Sequence, residues 1–446
     1  MRRVIAVLAS CVAVGCAGFG APIVGERPIE DLERDGTCDI GPSCEPVRAL
    51  PSDHFALPEA PGPSDDCDLD GIPDFDDACP GHPSLAGDGS ECAAAERACA
   101  QLARGEGSFV GADLRGCEAE VAISPAQSFA DADLRCARLR FVTADVETEW
   151  GPADALALAG ASLTDASLTV DGPVRVEAPG LTLRRSTLRL EEGATLDARG
   201  AVLHEARLEV AAPTRLADAE LRPALDLTGA EIVDSVVYEA TSDRAGRVRL
   251  DSARIETSYV SAPAVDLIGA SLTDVRLAGQ QLVALGAQLV RTDIDVEYGA
   301  FANVLLAGAT FAQCEELTFS NSDLQNVDIA ACPPDQLRMV ATNVVGARIG
   351  GGLDSIDGVV RVSTVGGETL STFGTDFETT RFCGQRSAVF IGGDLRCVRC
   401  AQEEFSGGDA VCLAGTRVVE RGCQQIELAP ECDPAIVELA VQRARP

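Results

Sequence analysis

From about Phe109 to about Phe382 the chain repeats a small residue, any residue and a large apolar one, on a degenerate five-residue step. The unit reads at Ala112-Asp113-Leu114, Ala132-Asp133-Leu134, Ala161-Ser162-Leu163, Ala166-Ser167-Leu168, Ala201-Val202-Leu203 and Ala206-Arg207-Leu208. It continues at Ala230-Glu231-Ile232, Ala270-Ser271-Leu272, Ala309-Thr310-Phe311 and Ala347-Arg348-Ile349. Apolar positions two apart fit an extended backbone whose side chains point alternately in and out. The five-residue step then puts a corner between one short strand and the next. The pattern predicts short strands coiling into a β-solenoid.

The period refines this. Leu163, Leu183 and Leu203 are 20 residues apart, as are Leu168, Leu188 and Leu208, which makes four five-residue sides. Ile255, Leu272 and Leu289 are 17 apart, Phe311 and Ile329 are 18 apart, and Ile329 and Ile349 are 20 apart. The 20-residue stretch resembles the pentapeptide-repeat family. That resemblance implies a right-handed quadrilateral β-helix with Leu or Phe at the centre of each side and Ala two before it, both inside. The drifting period, and strand-like runs such as Val174-Arg175-Val176-Glu177, keep a three-sided right-handed β-helix open. The expected fold is mainly β: a right-handed parallel β-helix, pentapeptide-repeat-like, over residues 105–382, with short capping helices and a disulfide-rich C-terminal segment over 383–446.

Ser90 as N-cap opens a short helix over 90–104, which closes the apolar end that a solenoid exposes. Cys92 and Cys99 lie seven apart in it, about 10 Å along a helix, too far to pair with each other. Asp433-Pro434 followed by an apolar face from Ala435 to Arg443 predicts a closing helix. Cys314 and Cys332 each follow a stacked centre, Phe311 and Ile329, by three residues. Equal positions in neighbouring coils lie about 4.8 Å apart, within disulfide range, so this pair is expected to bridge. Cys117 and Cys136, 19 apart, are expected to bridge for the same reason.

Composition adds a compartment. Met1-Arg2-Arg3 and the apolar run Val4–Val14 read as an export signal, too short to span a membrane. It ends at Ala13-Val14-Gly15-Cys16, which resembles the lipobox of bacterial lipoproteins; Leu8-Ala9-Ser10-Cys11 is a second match, and an ordinary secretory signal is the plain alternative. Cleavage before Cys16 leaves 16 of the 18 cysteines, an even number that suits disulfide pairing outside the cytoplasm. Residues 1–15 are thus the expected signal peptide, with Cys16 lipidated. The implied location is the cell envelope, as an outer-membrane lipoprotein or at the cell surface. Residues 16–64, rich in proline, read as a flexible tether.

Within 65–104 stands the one strong metal signal. Asp66, Asp68, Asp70, Asp74 and Asp77 fall at loop positions one, three, five, nine and twelve, with Gly71 at six. Ile72 offers its carbonyl at position seven. This is the oxygen set that Ca²⁺ takes. No amphipathic helix precedes it. The stretch, including Cys79-Pro80, resembles a thrombospondin type 3 repeat, with Ala78 where that family usually has Asn. The bland reading is a solvated acidic loop.

Catalytic chemistry is sparse. Of three histidines, only His204 lies in the repeats, and no nucleophile motif accompanies it. Cys397-Val398-Arg399-Cys400 has zinc or redox spacing, but without a second close pair it reads better as disulfide material. The net charge of −34, with all 36 basic residues arginine, argues against nucleic acid as a partner. Mimicry of DNA, a role some pentapeptide-repeat proteins have, does not fit an exported chain. The expectation is a non-enzymatic scaffold for an envelope protein or glycan. The alternative is a polysaccharide lyase-like enzyme using Arg184, Arg185 and Arg207 on neighbouring coils.

Overall fold

The structure, a computed structural model, describes residues 90–419 except for short internal stretches, the longest being 144–154, 211–224, 240–246 and 401–410. It is a parallel β-solenoid. One turn of it runs through Ser162–Thr164, Ser167–Asp171 and Arg175–Glu177 before Thr182–Arg184 begins the next. We call these three stacked columns of strands faces A, B and C. Among the described residues face A is a sheet of 14 strands, and faces B and C together form a sheet of 27, because two long strands belong to both.

Strand-bearing sides therefore number three, where the five-residue step implied four. The fourth side is spent in a turn. Leu181 N donates to Ala178 O, and Ala161, Ala201 and Ala230 close the same turn onto Leu158, Ala198 and Leu227. Gly180 at φ 70° supplies the left-handed residue this turn requires.

The small–large pairs do what the alternation predicts. In the pairs opening faces A and B, Ala161, Leu163, Ala166 and Leu168 are all buried, and the polar residue between each pair is not. On face A, Leu163, Leu183, Leu203, Ile232, Ile255, Leu272 and Leu289 are successive register partners. On face B, Phe311 stacks on Ile329 and Ile329 on Ile349. The interior is one continuous aliphatic column, in which each stacked side chain loses its apolar surface to the coils on either side. Where the coils change length, phenylalanines fill it: Phe301 stacks on Phe319 at 4.7 Å and meets Phe311 edge-on at 5.5 Å.

One internal polar feature runs against the pattern. Ser186, Ser235, Ser258 and Ser363 are buried where the chain turns from face A to face B. Each hydroxyl donates to the carbonyl two residues before it: Ser235 Oγ to Val233 O at 2.6 Å, Ser186 Oγ to Arg184 O at 2.7 Å. Each also accepts from a backbone N–H one coil earlier, as Ser235 Oγ does from Ala206 N at 3.1 Å. A small hydroxyl thus accepts from a corner N–H and adds a second donor to a carbonyl that already takes a ladder bond, as Arg184 O does from Asp165 N.

A helix, α1 (Ser90–Ala103), covers the N-terminal end, with Leu102 fully buried. Cys99 of α1 is joined to Cys117, Cα–Cα 5.4 Å. The pairing of Cys117 with Cys136 is therefore corrected. The first coils are 20 residues long, Glu118 facing Arg138, so Cys136 falls one position short of the register partner of Cys117. Cys136 is itself disulfide-bonded and sits at φ 63°. Cys314 and Cys332 are joined as the stacking of Phe311 on Ile329 implies, Cα–Cα 5.2 Å. The closing helix after Asp433 and most of the segment 383–446 lie outside the described residues.

Candidate functional site: the polar floor of the 17-residue coils

In the early coils the chain leaves face B at Asp171 and enters face C at Arg175; later it leaves at Ser261 and re-enters at Ala264. The connection then vanishes. Arg276–Leu285 and Asp293–Ala302 are single strands of ten residues that run straight from face B into face C. The coil is 17 residues here, Ile255, Leu272, Leu289 and Leu306 stacking in register. Close approach makes this possible. A Cβ on Gly279 would lie 2.1 Å from Ala262 O, and one on Gly299 would lie 2.6 Å from the Phe301 ring.

These two strands form a floor whose outward rows are polar. Tyr238, Ser261, Ala278, Asp295 and Gln313 are successive register partners, and beside them run Val236, Tyr259, Arg276 and Asp293. Gln281, Tyr298 and Glu316 form a third row on face C. The Tyr298 hydroxyl donates to Glu315, and Arg276 lies 3.9 Å from Asp293. Tyr259 is buried although it stands in an outward row, and burial raises its phenol above the ordinary value, partly opposed by a hydrogen bond with Ser261.

Asp295 is the least satisfied group of the floor. Burial holds its carboxyl above the ordinary carboxylate range, partly opposed by a hydrogen bond from Gln313. Its Oδ1 is buried without a partner, and so is Oε1 of Gln280. Upstream on face C, Asp266 is raised by burial although Arg247 lies 3.1 Å away, and Asp251 is raised by burial too.

The arginines singled out by the lyase alternative do not converge. Arg184 points outward from face A, next to His204 in register. Arg185 occupies the corner, its Nε 2.8 Å from Oδ1 of Asp165, whose side chain is wholly buried. Arg207 stands on face B and is bound by Glu209 of its own strand. The calcium loop with Asp66, Asp68, Asp70, Ile72, Asp74 and Asp77, and the lipidation site Cys16, lie outside the described residues. Among the described residues no group of His, Cys, Asp or Glu is placed to hold a metal ion.

Sequence reasoning passed over the floor because polar residues at outward positions look alike along the whole repeat. One signal was present: the chain has three tyrosines, and all three stand here.

No protein-family profile matches the chain, and no curated protein matches it. Among solved structures it is similar to tailspike protein 3 of bacteriophage CBA120, at 10% identity and a TM-score of 0.26 over 78% of this chain and 61% of that one. It thus spans less than two thirds of the tailspike's length. It is also similar to the A-module of a mannuronan C-5 epimerase from Azotobacter vinelandii, at 12% identity and a TM-score of 0.21, over 74% of this chain and 95% of that one. A pentapeptide-repeat protein of Nostoc, HetL, matches at 15% identity and a TM-score of 0.11, over 72% of this chain and 94% of that one.

Proposed function

We propose that this protein is an exported scaffold, tethered to the cell envelope through a lipidated Cys16 and braced by Ca²⁺ at the 66–77 loop, whose solenoid faces bind an envelope protein or glycan. The observation that carries the reading is the register itself. Parallel stacking turns outward positions into long rows on three faces, which is a surface for extended contact rather than a closed pocket. The disulfides Cys99–Cys117 and Cys314–Cys332 support an oxidising location. Ca²⁺ at Asp66, Asp68, Asp70, Ile72, Asp74 and Asp77 would order the segment before α1.

The scatter of Arg184, Arg185 and Arg207 over two faces and a corner favours binding over a lyase that uses them. The test is a pull-down from envelope fractions with and without a calcium chelator, beside incubation with polyuronate and calcium. The scaffold is expected to fractionate with membranes, to lose that on Cys16→Ser, and to capture an envelope component. A rise in ultraviolet absorbance from polyuronate would establish the lyase instead.

A further inference from the structure

The floor of the 17-residue coils gathers features that a general scaffold does not need. Tyr238, Tyr259 and Tyr298, the chain's only tyrosines, stand within it. Amides and carboxylates stand beside them, among them Gln280, Gln281, Asp295 and Gln313. Two acceptor oxygens, Asp295 Oδ1 and Gln280 Oε1, are buried without a donor, although both side chains are only partly covered. Such oxygens are costly to leave unpaired, and a side-chain rotation would turn either toward a donor brought by a ligand.

We propose that this floor binds an uncharged, hydroxyl-rich oligosaccharide lying along the stacking direction. The proposal deepens the scaffold reading and rests on it. A sugar ring offers an apolar face and a rim of O–H donors. A phenol ring supplies flat contact with little entropy to lose, and carboxylate and amide oxygens accept from hydroxyls. Rungs about 4.8 Å apart repeat these groups along the axis, so successive sugars meet successive rungs. Charge selects among glycans. Asp293, Asp295, Glu297, Glu315 and Glu316 outnumber the guanidiniums along these rows, Arg276 and Arg247 among them, in a chain of net charge −34, so a uronic-acid polymer is repelled.

The experiment probes the full chain with an array of neutral, uronic-acid-bearing and amino-sugar oligosaccharides, then titrates the best binder by calorimetry. Binding is expected for neutral oligomers, weakened at least tenfold by Tyr238→Ala, Tyr298→Ala and Asp295→Ala. Arg184→Ala on face A is expected to leave it unchanged. Tyr298→Phe, which keeps the ring and removes the hydroxyl bonded to Glu315, is expected to retain most of the affinity and guards against a folding defect. Binding restricted to charged oligomers, equal binding by all variants, or no binding at all would overturn the proposal. Capture of an envelope protein without any glycan binding would leave the scaffold reading standing and end this one.

Discussion

The coils from Ser162 to Val210 and those from Ser271 to Ala302 share the same small–large pairs, yet they turn from face B to face C in different ways. In the first group a short connection separates two strands; in the second the sheet continues unbroken. Their glycines differ accordingly. Gly180 has open space around its Cβ position but a φ of 70°, so it is there for its backbone. Gly279 has no such φ, but a Cβ would lie 2.1 Å from Ala262 O, so it is there for its lack of volume. Shortening a coil by three residues is thus achieved by bringing backbones together, and the interior answers with phenylalanine, Phe301 packing on Phe311 and Phe319.

That contrast can be broken or sharpened by substitution. The largest effect is expected at Phe301→Ala, about 3–5 kcal/mol from transfer and cavity terms together. Leu188→Ala in a 20-residue coil, fully buried but among aliphatics, is expected to cost about 2–5 kcal/mol. Denaturant titration of both decides it, and equal costs would mean that the aromatic filling is incidental. Next come the glycines. Gly279→Ala overpacks and is expected to cost about 1–3 kcal/mol, and Gly180→Ala about 1–2 kcal/mol for a left-handed alanine. Asparagine, which tolerates that region, should be accepted at 180 and rejected at 279. If Asn is tolerated equally at both, the two roles are not distinct.

A smaller effect concerns charge. Burial holds the Asp295 carboxyl above its ordinary value of 3.8, so the folded chain binds that proton more tightly than the unfolded one. Its contribution to stability is then full below about pH 4 and is lost as the pH rises through the folded value. Asp295→Asn is expected to match the wild type at pH 3 and to exceed it at pH 7, read as the midpoint of thermal unfolding at each pH. A variant less stable at pH 7 would mean that the carboxylate is better paired than its surroundings indicate. The smallest effect is expected at Arg254→Ala, whose exposed side chain meets Glu256 of the same strand at 2.6 Å. Unfolding indistinguishable from wild type is the expected result, because water screens such pairs.

Much of the fold could be read from residue order alone, because inward pairs such as Ala161 and Leu163 obey a local rule that any extended strand imposes. The same rule carried the stacking of Phe311 on Ile329 and with it the Cys314–Cys332 bridge. What was hidden depends on contacts between distant segments. Cys117 meets Cys99 because α1 lies across the mouth of the first coil, which no spacing reveals. Ser186 and Ser235 are polar yet buried, since their hydroxyls accept from backbone N–H groups of the neighbouring coil. The fourth side was counted because 20 residues divide evenly into five-residue steps, and a turn such as Ala178–Leu181 buries both its ends as a strand side would. The candidate floor was nearly invisible, as it arises only where a connection disappears.

The central claim is that successive coils stack in one register along a single axis. Spin labels at Ser162, Gln288 and Asn343, outward residues of face A, test it through pulsed electron resonance distances. Six rungs separate Ser162 from Gln288 and nine separate it from Asn343. The register predicts about 29 Å and about 43 Å at about 4.8 Å per rung. Distances that fail to grow in step with rung number would contradict it.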